Sequence, residues 1–436
     1  MLSKQDNDLM CRVGPGTGMG LVLRRCWLPA LLSSDLPQPD GDPKHVELLG
    51  ENFVAFRDTG GRVGLLDEAC CHRGASLMLG RVEGCGIRCI YHGWKFAVDG
   101  TVMETPNVPD PKFKERFKAR AYPVREAGGF VWVYLGPADK QPAFPDWPWL
   151  NISAAHRVNT VHVEECNFVQ AIEGLLDSTH LGVLHANGLR TSDESDLSFA
   201  NKVGGMKFDL APRLEVEDTD FGFYYAALRA MSDSAGHFTE ARVTAFVVPC
   251  MVLNANGDIV TIVVPAGDER THFYHLFWDA ERKLGEDPLR SEHLKFVGLD
   301  DETMDNFGIS SRTHLGPSKP SRSNRFHQDR ASLQNGSFSG LRGIVEEDVA
   351  VTVSAGSLRD RTKEMLSSAD AAVNRLYRVL LNCVRKAQDG GEPVNLTTNV
   401  ANIAGFQRRL PDGKAWRSLL PHHKAPAREE LPTSAE

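Results

Sequence analysis

The 436 residues suffice for two or three domains. Hydrophobic residues make up 42% and charged residues 24%, the balance of a globular chain with a buried core and not of a disordered or fibrous one. A formal net charge of −8 excludes a general attraction to nucleic acid or to anionic membranes.

Lys4, Asp6 and Asp8 stand where a signal peptide has its apolar stretch. Apolar runs such as 246–253 fall far short of the roughly 20 residues needed to span a bilayer. A cytoplasmic protein is expected. Gly14-Pro15-Gly16-Thr17-Gly18-Met19-Gly20 resembles a dinucleotide loop, but its glycines do not follow G-x-G-x-x-G and no strand pattern precedes it, so it is rejected as one.

Residues 45–57 and 62–66 flank Asp58-Thr59-Gly60-Gly61, residues 87–97 and 101–104 flank Val98-Asp99-Gly100, and residues 122–125 and 130–135 flank Gly128-Gly129. Short β segments joined by such turns predict a small antiparallel β domain. The Pro-rich stretch 136–148 marks a boundary. A helix is expected over 164–181, then strands near 207–216, 222–230, 240–253, 260–265 and 272–279. Two late helices follow, over 343–354 and 367–386, the second with Ala371, Val373, Leu376, Val379 and Leu380 on one stripe. Strands and helices in separate blocks define an α+β class. The polar, Pro-containing tail 425–436 is expected to be disordered.

An odd count of nine scattered cysteines argues against a disulfide framework. Four of them cluster between Cys70 and Cys89. There the chain reads Cys70-Cys71-His72-Arg73-Gly74 and Cys89-Ile90-Tyr91-His92-Gly93-Trp94, each segment at an expected hairpin tip. Two thiolates and two imidazoles suit zinc or a [2Fe–2S] centre in which His₂ replaces Cys₂ on one iron. Spacing alone does not separate these. Each loop supplies one Cys and one His, however, and a two-iron cluster with unlike irons suits that division better than a zinc site built from Cys pairs and His pairs.

A second motif runs Glu173-Gly174-Leu175-Leu176-Asp177-Ser178-Thr179-His180-Leu181-Gly182-Val183-Leu184-His185. On a helix Glu173, Asp177 and His180 share a face, whereas His185 lies about 140° around the axis from His180. Both histidines bind one ion if the helix unwinds between them, and Gly182 eases that. Two such histidines plus a distant carboxylate form the facial triad of non-haem Fe(II) oxygenases, with positions left open for O₂. The bland alternative is an amphipathic helix with two satisfied core histidines.

These two motifs, in this order, resemble the α-subunits of Rieske aromatic ring-hydroxylating oxygenases. The resemblance rests on Cys70, His72, Arg73-Gly74 and Cys89 to Trp94, then on 173–185, and spans nearly the whole chain. Cys71 departs from the family pattern, which usually has Pro there. The opening 12–20 and Glu173-Gly174 look most like the phthalate-dioxygenase branch. The resemblance implies a small antiparallel β Rieske domain over 41–140 and a larger helix-grip catalytic domain over 141–424, with 1–40 as an N-terminal segment packing on the latter. It implies that Cys70, His72, Cys89 and His92 hold a [2Fe–2S] cluster, and that His180 and His185 bind a mononuclear Fe(II). The third iron ligand falls on a late helix, where Asp348 matches and Glu346 and Glu347 compete. Asp177 is implied to bridge an iron-ligating His and a cluster-ligating His of the neighbouring subunit. Homotrimers or stacked trimers are implied, together with a separate flavin and iron–sulfur reductase that oxidises NADH.

Electron supply fits this scheme, because O₂ needs reducing equivalents that a Rieske centre can pass on singly. An anionic aromatic substrate needs a cation in its pocket, since burying an unpaired carboxylate is costly. The candidates are Lys207, Arg213, Arg229 and Arg242, the last at a position used by phthalate-type relatives; Ser178 is a further candidate contact. The expected activity is cis-dihydroxylation of a phthalate or substituted benzoate, or monooxygenation and O-demethylation of an aromatic ether acid.

Overall fold

The computed structural model describes residues 2–187, 197, 209–234, 236–311, 316–394, 398–411 and 413–421. Lys207 and the tail 425–436 lie outside them. Two short helices, α1 (Lys4–Cys11) and α2 (Gly18–Arg24), open the chain. The glycine-rich run is a packing device: a Cβ on Gly20 would meet the carbonyl oxygens of Val13 and Gly14 at 2.5 Å.

Three small antiparallel sheets follow. β1 (Trp27–Leu32), β10 (Phe130–Tyr134) and β9 (Val124–Ala127) form one, and β2 (Lys44–Leu48), β3 (Glu51–Arg57) and β4 (Val63–Asp67) the next. The expected strand 45–57 is thus a hairpin, turned at Leu49 and Gly50, which take φ of 52° and 74°. Paired left-handed residues match the strand twist of a two-residue hairpin. The third sheet orders β5 (Arg81–Glu83), β6 (Gly86–Arg88), β7 (Lys95–Phe96) and β8 (Val102–Glu104). The expected strand 87–97 is split here, because the Cys89–Trp94 loop leaves the ladder between β6 and β7.

The largest sheet has eight strands in the order β11-β17-β16-β15-β14-β13-β12, with β18 also on β14. Their spans are β11 (Arg157–Glu164), β12 (Arg213–Asp218), β13 (Gly222–Asp233), β14 (Gly236–Val247), β15 (Met251–Leu253), β16 (Ile259–Gly267), β17 (Arg270–Trp278) and β18 (Phe406–Leu410). The single strand expected over 240–253 is broken by Pro249, which cannot donate to a ladder. Against this sheet pack α3 (Phe168–Leu176) and α9 (Ala371–Gln388), with α8 (Ile344–Ser354) on α3. Between α3 and α8 come α4 (Leu181–Leu184), α5 (Leu289–Val297), α6 (Asp301–Phe307) and α7 (Arg330–Gln334). Helices and antiparallel sheets in separate blocks make the α+β class observed. No helix among the described residues is long and apolar enough to cross a membrane.

The expected helix 164–181 is shorter at both ends. Glu164 closes β11, and α3 starts only after Asn167, whose side chain accepts from the Val169 N–H at 3.2 Å. Polar side chains fix α3 in place. Asn167 Nδ2 donates to Cys11 O at 2.9 Å and Asp268 O at 2.7 Å, and Gln170 Nε2 donates to Gly356 O at 2.9 Å. Glu173 receives the Arg361 guanidinium at 2.7 Å, the Tyr377 hydroxyl at 2.9 Å and Arg359. Arg361 is fully buried and also donates to Asn7 of α1 at 3.1 Å. One carboxylate therefore ties α3 to the N-terminus, to the loop after α8 and to α9.

Removing one partner of such a pair strands the other charge in the interior. Arg361→Ala is expected to cost about 3–5 kcal/mol, seen as a lower urea midpoint. A midpoint unchanged within error would show that the anchor contributes nothing.

Candidate metal centres

The two Cys/His loops are built alike. Cys70 N–H donates to Ala75 O at 2.9 Å and Gly74 N–H to Cys70 O at 2.8 Å; Cys89 N–H donates to Trp94 O at 2.8 Å and Gly93 N–H to Cys89 O at 3.0 Å. Each loop closes on a glycine with positive φ, 73° at Gly74 and 77° at Gly93. Cys70 and Cys89 are buried at the loop bases, and His72 and His92 sit half-buried at the tips with rings 4.6 Å apart. His72 lies flat on Trp94, also at 4.6 Å, with 2° between the planes. Burial raises the Cys70 thiol to about 11, and the adjacent Cys89 adds to the rise. Two crowded thiols beside two paired imidazoles offer a Cys₂His₂ donor set of the kind that suits a Rieske cluster. Cys71 is exposed, and all nine cysteines are free thiols.

The second centre depends on where α3 stops. The helix ends at Leu176, and Asp177 is extended, at φ −93° and ψ 111°. Its Oδ1 accepts from the Thr179 N–H at 2.7 Å and the Thr179 hydroxyl at 2.6 Å, a side-chain turn that replaces helical bonding. The unwinding expected near Gly182 therefore lies before His180. Gly182 is inside α4, a single turn in which Leu184 N–H donates to His180 O at 2.7 Å. His185 leaves that turn at φ −91° and ψ 21°, and its ring faces His180 across 5.2 Å.

His180, His185 and Asp348 each offer a donor atom, and these lie within 4.8 Å of one another. Asp348 Oδ1 is 3.1 Å from His185 Nε2 and 3.6 Å from His180 Nε2. Both Nε2 atoms are buried without a hydrogen-bond partner. Each Nδ1 has a carboxylate: Glu347 Oε2 at 2.7 Å from His185 and Asp177 Oδ2 at 3.4 Å from His180. A carboxylate on one ring nitrogen fixes the tautomer and aims the other lone pair, the usual support of a metal-bound histidine. Ser339 Oγ donates to Glu347 in turn. Burial lowers the affinity of His185 for a proton, but Asp348 and Glu347 outweigh it and push the group up to about 10. Asp177 is likewise destabilised by burial, yet His180 and Thr179 hold it down near 2. The centre thus demands positive charge, and a divalent cation meets that demand in place of a proton. Donor set and geometry fit a 2-His-1-carboxylate iron with open positions.

A cavity of about 140 Å³ opens from these three residues over one face of the large sheet. That is close to the roughly 150 Å³ of an engineered cavity that takes up benzene. Arg242 and Ser178 line it. Arg242 is buried, with Nη2 donating to Asn256 Oδ1 at 2.7 Å and Nη1 to Gln407. Burial and nearby Arg229 lower its pKa to about 10, so it remains a cation at neutral pH. Arg229 is bound to Ser178, donating to its carbonyl at 2.8 Å and its hydroxyl at 3.1 Å. Arg213 is a correction: its side chain is 72% exposed and pairs with Glu215, because β12 forms the sheet edge. Glu346 turns back to accept from Arg342 N–H at 3.1 Å. Sequence reasoning missed Glu347 as the support of His185, and it missed His162, Glu164 and His275, which also line the cavity. The alternation Phe273, His275, Phe277 was the available signal for the last of these.

Fold and centres together define a protein with a Rieske-type cluster loop pair and a mononuclear non-haem iron site. Residues 26–123 match the Rieske [2Fe-2S] domain, and residues 133–434 match the LigXa C-terminal domain like family. The oxygenase subunit of phthalate 4,5-dioxygenase from Pseudomonas putida is 36% identical, over 96% of this chain and 94% of that protein. The oxygenase subunit of 3-chlorobenzoate-3,4-dioxygenase from Comamonas testosteroni is 34% identical, over 90% of each. Among solved structures, Pseudomonas putida CBB5 NdmA with caffeine superposes with a TM-score of 0.56 at 17% identity, over 87% of this chain and 95% of that one. The chain belongs to the Rieske non-haem iron oxygenases, in the branch that holds the phthalate dioxygenase oxygenase subunit.

Metal analysis tests the second centre. His180→Ala or Asp348→Ala is expected to lower iron from about three to about two atoms per chain while the visible spectrum of the cluster persists. Glu347→Ala, which leaves all three donors, is expected to weaken iron binding by about 10–100-fold. Full iron content in all three variants would place the iron elsewhere.

Proposed function

We propose that this oxygenase hydroxylates an aromatic carboxylate, such as a phthalate or a substituted benzoate, with O₂ and electrons from a separate reductase. One observation carries this reading: the paired Nε2 atoms of His180 and His185 converge on Asp348 at the wall of a ring-sized cavity that also holds the buried cation Arg242. Cys70, His72, Cys89 and His92 hold the cluster, and His180, His185 and Asp348 hold the iron. When bound, these groups supply one-electron delivery and dioxygen activation. Arg242 orients the substrate carboxylate, with Ser178 and Lys207 as further contacts. The apolar wall of Phe273 and Phe277 excludes water from the ring face. The domain division at about residues 40, 140 and 424 follows the same reading.

Asp177 is the positioning residue between the centres. Its Oδ2 holds the Nδ1 proton of His180, and it lines both the cavity and a surface depression rimmed by exposed Met365, Leu366 and Val351. Around the cluster tip, Leu79, Ile90 and Tyr91 are exposed as well. Two apolar patches, one beside the cluster loops and one beside the histidine site, suit a head-to-tail ring, and a homotrimer, alone or stacked, would bring a neighbour's cluster tip to Asp177. The reductase carries the NADH and flavin sites and works with this chain in the cytoplasm.

Product analysis against benzoates, phthalates and methoxybenzoates with a surrogate reductase tests the reaction. A cis-diol is expected; a phenol or a demethylated product would instead establish monooxygenation by the same site. Asp177→Asn, which keeps an oxygen to accept from Thr179 and so keeps the turn, is expected to lower turnover by about a hundredfold, with cluster spectrum and iron content retained. A variant of near-normal turnover would end the bridging role.

A further inference from the structure

The cavity has a second polar pole that the residues assigned above do not explain. In the sheet register His275 of β17 stands between Thr160 of β11 and Thr261 of β16. His162 stacks on His275 at 5.3 Å. His275 is 6% exposed and Thr261 fully buried, and both line the cavity. Neither ring nitrogen of His275, nor the Thr261 hydroxyl, has a hydrogen-bond partner. Buried polar groups left unpaired are costly and uncommon. Three such atoms facing one cavity mark a place where a ligand completes the bonding.

The chemistry of the pole selects the ligand. Burial holds His275 well below its usual pKa, and the nearby His162 and His293 act in the same direction. A neutral imidazole offers one N–H donor and one lone pair, and a hydroxyl offers the same. A carboxylate does not fit here. Glu164, 2% exposed, lines the same cavity and is engaged with His162 Nε2 at 3.1 Å, so a second anion would face an existing one across a low-dielectric space. Arg242, on β14, stands two strands away from Thr261 on β16 and four residues along from Phe246, which is level with Thr261, roughly 10 Å across the strands and about 13 Å along them. The cation and the neutral pole therefore sit at separate places along the cavity.

We propose that His275 and Thr261 recognise a hydroxyl or ether oxygen on the substrate ring while Arg242 takes its carboxylate, so that among aromatic acids a hydroxy- or alkoxy-substituted one is preferred over benzoate and phthalate. This rests on the aromatic-acid reading above. Calorimetric titration of the anaerobic, fully metallated enzyme with benzoate, 3- and 4-hydroxybenzoate, 4-methoxybenzoate and phthalate tests it. At least one oxygen-substituted ligand is expected to bind about tenfold or more tighter than benzoate and phthalate. His275→Phe, which keeps the stack, should erase that margin and leave benzoate within about twofold, whereas His275→Gln, with a donor and an acceptor, should retain most of it. Thr261→Val is read the same way if the Phe variant does not fold. Phthalate or benzoate binding as tightly as every oxygen-substituted ligand would overturn the proposal alone, as would an equal loss for all ligands in His275→Phe. Failure of every acid to bind would overturn the aromatic-acid reading with it.

Discussion

The metal-binding face depends on one break in the backbone. α3 stops at Leu176 because Asp177 gives its carboxylate to Thr179 and leaves the helical register. That turn lets His180 begin a new single turn whose far end brings His185 back beside it. In a continuous helix the two rings would point about 140° apart and share no ion. The same carboxylate that ends the helix then orients His180 through its other oxygen. Local backbone chemistry and ligand placement are therefore one device.

Such a break is useful only if the helix before it is immobile. Glu173 supplies that constraint, one turn upstream of Asp177, by accepting from Arg361, Arg359 and Tyr377 on two later segments. A buried charge pair is weak evidence of net stability, since its desolvation is expensive. Its value here is registry: two arginines, one on each carboxylate oxygen of Glu173, fix the rotation of α3 as well as its position. With α3 held, the approach of α8 sets the distance from the histidines to Asp348, and one residue earlier Glu347 meets the back of His185. Consecutive carboxylates on one helix thus fill different roles, one facing the cavity and one behind the ring.

Much of this was legible in the sequence, for reasons that differ between the parts. The Cys/His loops were readable because their ligands lie close together and each ends in a glycine forced to positive φ, so the whole loop is written in a few adjacent residues. The last long helix was readable from its apolar stripe. The extent of α3 was not, because the pattern that continues past 176 is amphipathic in either conformation and the side-chain turn at Asp177 outcompetes it. Nor was the break between β14 and β15 visible in hydrophobicity, which runs on through Pro249. Pairings that close across long separations, such as Arg361 with Glu173 or His185 with Glu347, have no local signature at all. Arg242 illustrates the limit well: its strand alternates as a surface strand does, and β18, from a segment some 165 residues later, is what encloses it.

The three charged layers around the histidines also explain why the cavity is polarised. Asp177, Glu347 and Asp348 concentrate negative charge at the iron end, and Glu164 extends it along β11. A divalent cation on the three donors would offset that charge, which leaves Glu164 and Arg242 as the opposite charges along the rest of the cavity. In the proposed reading, a carboxylate is drawn to Arg242 and away from Glu164, and its ring is left to face His180 and His185. In that reading Arg242 sets which end of the molecule approaches the histidines, while the neutral groups of β16 and β17 discriminate among rings that share the same anionic handle.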